Sequence, residues 1–153
     1  LSQNRIKDFT EVVEDWDNGY QTIHYDNSTL AFSPSAIVNG FVTLHHKGFM
    51  AQFNTSYVSR QYLDNTENID RSLPGYSVSN VSLGYSFKPS KVVKEAIFRV
   101  NLNNIFNKRY AASGWVYSAI AESYNHPNDN RYYQIGFIPM SGFNVMANLT
   151  LKF

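Results

Sequence analysis

The 153-residue sequence contains no cysteine, which excludes a disulfide framework, a thiolate metal site and a cysteine nucleophile. It also lacks a charge excess, since thirteen Lys and Arg against twelve Asp and Glu leave a net +1. Binding to nucleic acid rests on neutralising phosphates with a basic face, so no nucleic-acid partner is expected. No stretch approaches the ~18 consecutive apolar residues that a transmembrane helix needs. A basic segment followed by an apolar run, the mark of a secretory leader, is missing too. No Ser, His and Asp spacing and no pair of carboxylates is laid out for acid–base chemistry. The expectation is therefore a protein without enzyme activity or cofactor. The chain opens at Leu1 on what reads as the middle of a strand, and it is expected to be a fragment of something longer.

What the sequence does have is aromatic residues, 16% of the chain with eleven Tyr and eleven Phe, and a period of two. The last eleven residues separate into Phe143, Val145, Ala147, Leu149, Leu151 and Phe153 on one face and Asn144, Met146, Asn148, Thr150 and Lys152 on the other. Successive strand side chains point to opposite faces, so this is a strand with one greasy and one wet side. Its length is about the ten residues with which a tilted strand crosses a bilayer. A half-buried strand at the end of a soluble sandwich has the same pattern.

Six further strands are expected upstream. The first, Arg5 to Trp16, stops at Asp17-Asn18-Gly19, where Asn-Gly predicts a type I′ turn. The second, Tyr20 to Phe32, changes phase, which predicts a bulge or register change near Asp26 and Asn27; Ser33-Pro34-Ser35 ends it. The third runs from Ala36 to His46, with Val38, Val42 and Leu44 assigned to the apolar side. After Lys47-Gly48 the fourth sets Phe49, Ala51, Phe53, Thr55 and Tyr57 against Met50, Gln52, Asn54 and Ser56. A loop covers Gln61 to Pro74. The fifth strand, Tyr76 to Lys88, carries Val81, Leu83, Tyr85 and Phe87 on one face. The sixth, Ala96 to Phe106, alternates Phe98, Val100 and Leu102 with Arg99, Asn101 and Asn103. From Asn107 to Gly142 a long connection follows, rich in Tyr, Ser and Asn. Short connections at Lys47-Gly48, Pro89 to Lys94 and Asp17 to Gly19 alternate with the long ones, as on a membrane barrel with one trimmed and one elaborated rim; the short Ser33 to Ser35 connection, on the elaborated rim, is an exception.

Three segments carry a resemblance. Tyr57-Val58-Ser59-Arg60-Gln61-Tyr62-Leu63-Asp64-Asn65-Thr66 resembles a strand-to-loop segment of TonB-dependent receptors, and Asn103-Asn104-Ile105-Phe106-Asn107-Lys108-Arg109-Tyr110 is similar to the penultimate-strand motif of that family. Gly114-Trp115-Val116-Tyr117, then Pro139 and Gly142, follow in the same order. A terminal Phe153 preceded by Val145, Ala147, Leu149 and Leu151 resembles the C-terminal signature that the barrel-assembly machinery of the bacterial outer membrane recognises. The departures are Ile105 where Leu is usual, Ser113 where Asn often precedes Gly-Trp, and Met140-Ser141 where Gln-Ala is common. The resemblance implies that residues 1–153 are the last third of a 22-stranded antiparallel transmembrane β-barrel, about seven meander strands. It further implies an outer-membrane location in contact with lipid, and a plug domain and TonB-binding segment outside this sequence. The implied function is uptake of a scarce small-molecule chelate or macrocycle such as an iron-siderophore, haem or cobalamin. The competing expectation is a soluble β-sandwich binding module of a secreted or surface protein.

For ligand contact the aromatic residues of the long connection stand out: Trp115, Tyr117, Tyr124, His126, Tyr132 and Tyr133. Rigid rings with polar tips suit recognition of a chelate or macrocycle, although the same rings could simply hold a long loop together. His45 and His46 are adjacent on a strand and so face opposite ways, which argues against a shared metal ion. Asp64, Glu67 and Asp70 in one loop are read as solvated charges rather than a cation site. No metal site is expected.

Overall fold

Alternating apolar and polar side chains, with β-branched and aromatic residues at the apolar positions, favour strands that present one face to water or to packing and the other to apolar surroundings. The computed structural model, which describes residues 1–123 and 131–153, is accordingly all-β and built from antiparallel sheets. Its elements in chain order are β1 (Arg5–Asp15), β2 (Gly19–Thr29), β3 (Ile37–His46), β4 (Phe49–Val58), β5 (Gln61–Tyr62), a 3-10 turn (Ile69–Arg71), β6 (Ser72–Leu73), β7 (Tyr76–Phe87), β8 (Glu95–Asn103), β9 (Ala111–Ile120), β10 (Arg131–Pro139) and β11 (Asn144–Lys152). No described helix is long and apolar enough to cross a membrane, which says nothing of strands.

The chain divides into two compact units. One comprises residues 37–58, 76–110 and 140–153 and holds a five-stranded sheet in the order β11-β8-β7-β4-β3, every neighbouring pair antiparallel. Its register puts like with like across all five strands. Val42 lies opposite Phe53, Phe53 opposite Val81, Val81 opposite Leu102, and Leu102 opposite Val145. One step along, Leu44, Ala51, Leu83, Val100 and Ala147 form the next row, and Phe49, Tyr85, Phe98 and Leu149 the one after. The even set Val38, Val42 and Leu44 of β3 therefore does share the apolar face.

The opposite face of this sheet is a polar ladder. Asn80 donates to Asn54 at 2.9 Å, Ser82 to Asn101 at 2.8 Å and Asn103 to Asn144 at 2.9 Å, while Ser56 bonds Asn39. At one end Glu95 accepts Lys152 at 2.6 Å and Ser86 at 2.7 Å. The short connections 47–48 and 88–94 and the terminal Phe153 lie at that end, and the long connections 59–75 and 104–143 leave from the other. Lys47 and Gly48 have φ of 44° and 82°, so this two-residue hairpin is the one that has positive φ at both central positions, as a type I′ turn needs.

The other unit comprises residues 1–36, 59–75 and 111–139. Its four-stranded sheet runs β10-β9-β1-β2, and the ribbon β5-β6 belongs to it. β1 meets β9 in parallel through two pairs only, Glu14 with Ala119 and Asp15 with Ile120.

Several expectations change here. The stretch 107–142 is not a strandless connection, since it forms β9 and β10, paired in register from Arg131 opposite Ile120 to Ile138 opposite Ser113. The 61–74 loop holds a two-stranded ribbon and a 3-10 turn, with Leu63, Arg71 and Leu73 buried. The seven-strand meander is therefore replaced by eleven strands among the described residues, in which β8 and β11 pair directly while β9 and β10 form a hairpin in another sheet. The bulge or register change expected near Asp26 and Asn27 takes the form of a break in alternation without a register shift: the inward side chains step from Ile23 and Tyr25 to Ser28, while Arg5 stays opposite Thr29 and Asp15 opposite Gly19. The irregularity is in the partner strand, where Asp8 takes a φ of 59°.

The first hairpin has a three-residue loop, 16–18, with Gly19 at φ 91°, the arrangement of a turn followed by a left-handed bulge residue rather than type I′. The parallel contact also puts this short turn at the same end of its sheet as the 121–130 connection, so the alternation of short and long connections holds in the five-stranded sheet but not here.

Candidate functional site

In the four-stranded sheet the register sorts side chains onto two faces with different chemistry. One face bears the odd residues of β1 from Phe9 to Asp15 and of β2 from Gly19 to Tyr25, the even residues of β9 and the odd residues of β10; across Asp8 and Asp26 the alternation shifts, so that Ile6 and the buried Ser28 are the inward residues there. On this face the Arg131 guanidinium donates to both oxygens of Glu11, at 2.7 and 2.6 Å, and Tyr25 donates to the same carboxylate at 3.1 Å. Segment 59–75 packs on this face: a Cβ added at Gly114 would meet Leu63 at 3.3 Å and Leu73 at 3.6 Å. Arg71, 1% exposed, donates to Asp64 at 2.7 Å and to Thr66 at 2.6 Å, and its guanidinium lies 5.8 Å from the centre of the Tyr133 ring.

The loop carboxylates Asp64 and Glu67 are thus committed to protein partners. Asp64 also accepts the Thr66 hydroxyl at 2.6 Å, and Glu67 accepts Arg5 at 3.2 Å and the Thr29 amide at 3.1 Å. The expectation of solvated charges gives way to a packed network that anchors the segment. Among the described residues no group of three His, Cys, Asp or Glu could hold a metal ion. His45 and His46 occupy adjacent register positions, opposite Met50 and Phe49, and so lie on opposite faces.

The second face carries the even residues of β1 from Thr10 to Glu14 and of β2 from Tyr20 to His24, the odd residues of β9 and the even residues of β10. Near the shared end of the sheet it holds a connected aromatic cluster. Tyr117 donates its hydroxyl to Glu14 at 2.6 Å. The phenol is held above its ordinary value chiefly by that carboxylate, against an opposing hydrogen bond from Trp16. The rings of Trp16 and Tyr132 lie 5.0 Å apart at 40°, and Gln134 donates to the Tyr132 hydroxyl. Beneath them Ala119 is fully buried. Trp115 lies flat across Gly136, its register partner, where any Cβ would collide with the indole. Trp115 is 54% exposed and Tyr20, opposite Glu14, is 76% exposed.

Of the residues expected to contact ligand, Trp115, Tyr117 and Tyr132 are brought together on this face. Tyr133 is not: it is on the other face, against Arg71. Tyr124 and His126 lie outside the described residues. Glu14, Trp16, Tyr20 and Gln134 were not anticipated; the aromatic residues flanking the Asp17-Asn18-Gly19 turn were the signal for two of them. The C-terminal set falls on the apolar face of the five-stranded sheet, with Val145, Ala147, Leu149 and Leu151 opposite Leu102, Val100, Phe98 and Ala96; Phe153 follows β11.

Compared with family models, with curated proteins and with solved structures, the chain finds no match.

Proposed function

We propose that this chain is the C-terminal part of the barrel of a TonB-dependent outer-membrane transporter that takes up a scarce ligand such as an iron-siderophore, haem or cobalamin. The observation that carries the proposal is the two-faced register of the five-stranded sheet. Val38, Val42, Leu44, Phe53, Phe98, Val145 and Leu149 are all exposed on one face, and Ala96 is the only buried apolar residue in that unit among the described residues. In water such a continuous apolar face is unfavourable and marks an interaction surface. In a bilayer it is the lipid-facing band of a barrel, and the amide ladder on the other face is the polar lumen. The short connections and Phe153 at one end, with the long connections at the other, agree with a periplasmic and an outer rim.

On this reading outer-membrane lipid covers the apolar face and the assembly machinery engages β11. The TonB complex acts through an N-terminal part outside the sequence. Strands β3 and β11 are the edges of their sheet, and unpaired edge groups in hydrocarbon cost several kcal/mol each, so further strands complete the wall.

The test is fractionation of the full-length gene product in a Gram-negative host. The expected result is recovery with the outer membrane, extraction only by detergent, and an electrophoretic mobility that changes on boiling. A freely soluble monomer in the absence of detergent overturns the proposal in favour of a β-sandwich binding module.

A further inference from the structure

We propose that the aromatic face around Glu14, Trp16, Tyr117 and Tyr132 is a binding site for an organic cation, a quaternary or protonated amine carried by the imported molecule. Naming the ligand class rests on the transport reading for its biological meaning, but the site itself stands on the geometry of one sheet.

Charge sorting is the first observation. Between the irregular Asp8 and the turn, the register gives this face the side chains of Glu14 and His24, with Asp8 and Asp26 at 3.4 and 3.3 Å from the His24 ring nitrogen, and neither a Lys nor an Arg from that part of β1 and β2 or from β9 and β10. Arg131, the cation of β10, belongs to the opposite face, where it pairs with Glu11. A face of this composition complements positive charge.

Construction of the cluster is the second. Trp and Tyr rings attract a cation to their faces through their quadrupoles, Trp most strongly. Trp16 and Tyr132 pack against each other, 5.0 Å between ring centres and tilted at 40°, so the pair offers its outer ring surface rather than a slot between the rings. Their positions are fixed by the Tyr117–Glu14 hydrogen bond and by the Gln134–Tyr132 contact, which limits the rotamer entropy lost on binding. Glu14 supplies a full negative charge beside the rings. Segment 59–75 packs on the other face, as Leu63 and Leu73 at Gly114 show, and Trp16, Tyr20, Trp115 and Tyr117 remain exposed.

The experiment uses the full-length protein in an uncharged detergent, with tetramethylammonium chloride as probe, followed by NMR saturation transfer to the probe's methyl protons. Sodium chloride at equal ionic strength and tert-butanol, an uncharged molecule of similar shape, are the controls. The expected result is saturable binding of the cation, competed by neither control. Glu14→Gln keeps an acceptor for Tyr117 but removes the charge, and Trp16→Leu removes the strongest ring; each should weaken binding about fivefold or more, as a contact of ~1 kcal/mol implies.

No saturable transfer, or equal binding by Glu14→Gln and the parent protein, overturns the site. A protein that is inserted in the outer membrane yet does not bind refutes only this inference. One that binds the cation but is soluble refutes the transport reading and leaves the site standing. Should Trp16→Leu fail to fold, Tyr132→Leu takes its place as the ring deletion.

Discussion

Arg131 reaches across 120 residues of sequence to clamp both oxygens of Glu11. The side chains are 5% and 16% exposed, so the pair fixes β10 to β1 in a region where a lone charge has little water to turn to. Breaking such a pair from one side costs roughly 3–5 kcal/mol, whereas replacing both members by apolar residues is often close to neutral. Arg131→Met alone should loosen the β9–β10 hairpin by that amount, and Arg131→Met combined with Glu11→Leu should recover most of it. Hydrogen exchange of the β9 and β10 amides in the folded protein measures both. A double variant no more protected than the single one would show that the ion pair is not what holds the hairpin.

The loop of the first hairpin should depend on pH through Asp15. Its carboxyl is held below the ordinary value first by the Asp17 amide at 2.9 Å and next by the Asn18 side chain at 3.1 Å, with smaller help from Gln21 and the Asn18 amide. A carboxyl depressed in the folded state contributes stability above its unfolded pKa of ~4 and loses it as pH falls through the lower folded value. The Asp17 and Asn18 amide proton resonances should therefore shift with a midpoint below ~4. They should not titrate in Asp15→Asn. A midpoint above the ordinary value would contradict the turn as described.

How much of this was legible in the sequence follows from what period two can and cannot encode. Where a strand pairs only with strands of the same alternation, as β3, β4, β7, β8 and β11 do, the pattern alone assigned both strand and face. It failed on β9 and β10. Trp115, Tyr117, Tyr132 and Gln134 share a face with Ala119 and Gly136, so small residues and Gln interrupt the apolar rows and the segment reads as loop. The phase change in β2 is real and falls where Asp8, at a φ of 59°, faces Asp26: Tyr25 stacks on Phe9 at 5.8 Å on the packed side, and beyond Asp26 and Asn27 it is Ser28 that turns inward. The buried Arg71 and Arg131 could not be foreseen, because their partners Asp64 and Glu11 are recognisable only after the chain has folded.

The two hairpin glycines should respond unequally to a methyl group. Gly48 and Gly19 both have positive φ, which costs a non-glycine residue about 1–2 kcal/mol. At Gly19 an added Cβ meets nothing within 4 Å, whereas at Gly48 it comes 2.5 Å from the Ser86 carbonyl oxygen, a backbone atom of the neighbouring strand. Gly48→Ala should therefore destabilise clearly more than Gly19→Ala. Denaturant unfolding of the two variants compares them directly, and equal midpoints would mean that the β3–β4 turn yields where it is packed against β7.

The proposed orientation of the five-stranded sheet makes its sharpest demand on two neighbours in β11. Leu149 is 58% exposed on the apolar face opposite Phe98, and Asn148 is on the polar face opposite Arg99. If the apolar face meets hydrocarbon, an arginine at 149 must be carried into lipid far from either rim, at a cost of roughly 2–4 kcal/mol. An arginine at 148 projects into the polar interior and pays no such transfer cost, although it stands opposite another guanidinium and loses something to repulsion. Leu149→Arg should consequently lower the stability of the inserted full-length protein by several times more than Asn148→Arg, read as the shift in urea concentration at half unfolding in vesicles. In a water-soluble sandwich with the polar face outward, Leu149→Arg would abolish folding altogether. With the apolar face outward it would be harmless. Comparable midpoints for the two variants would therefore exclude lipid as the surroundings of this face.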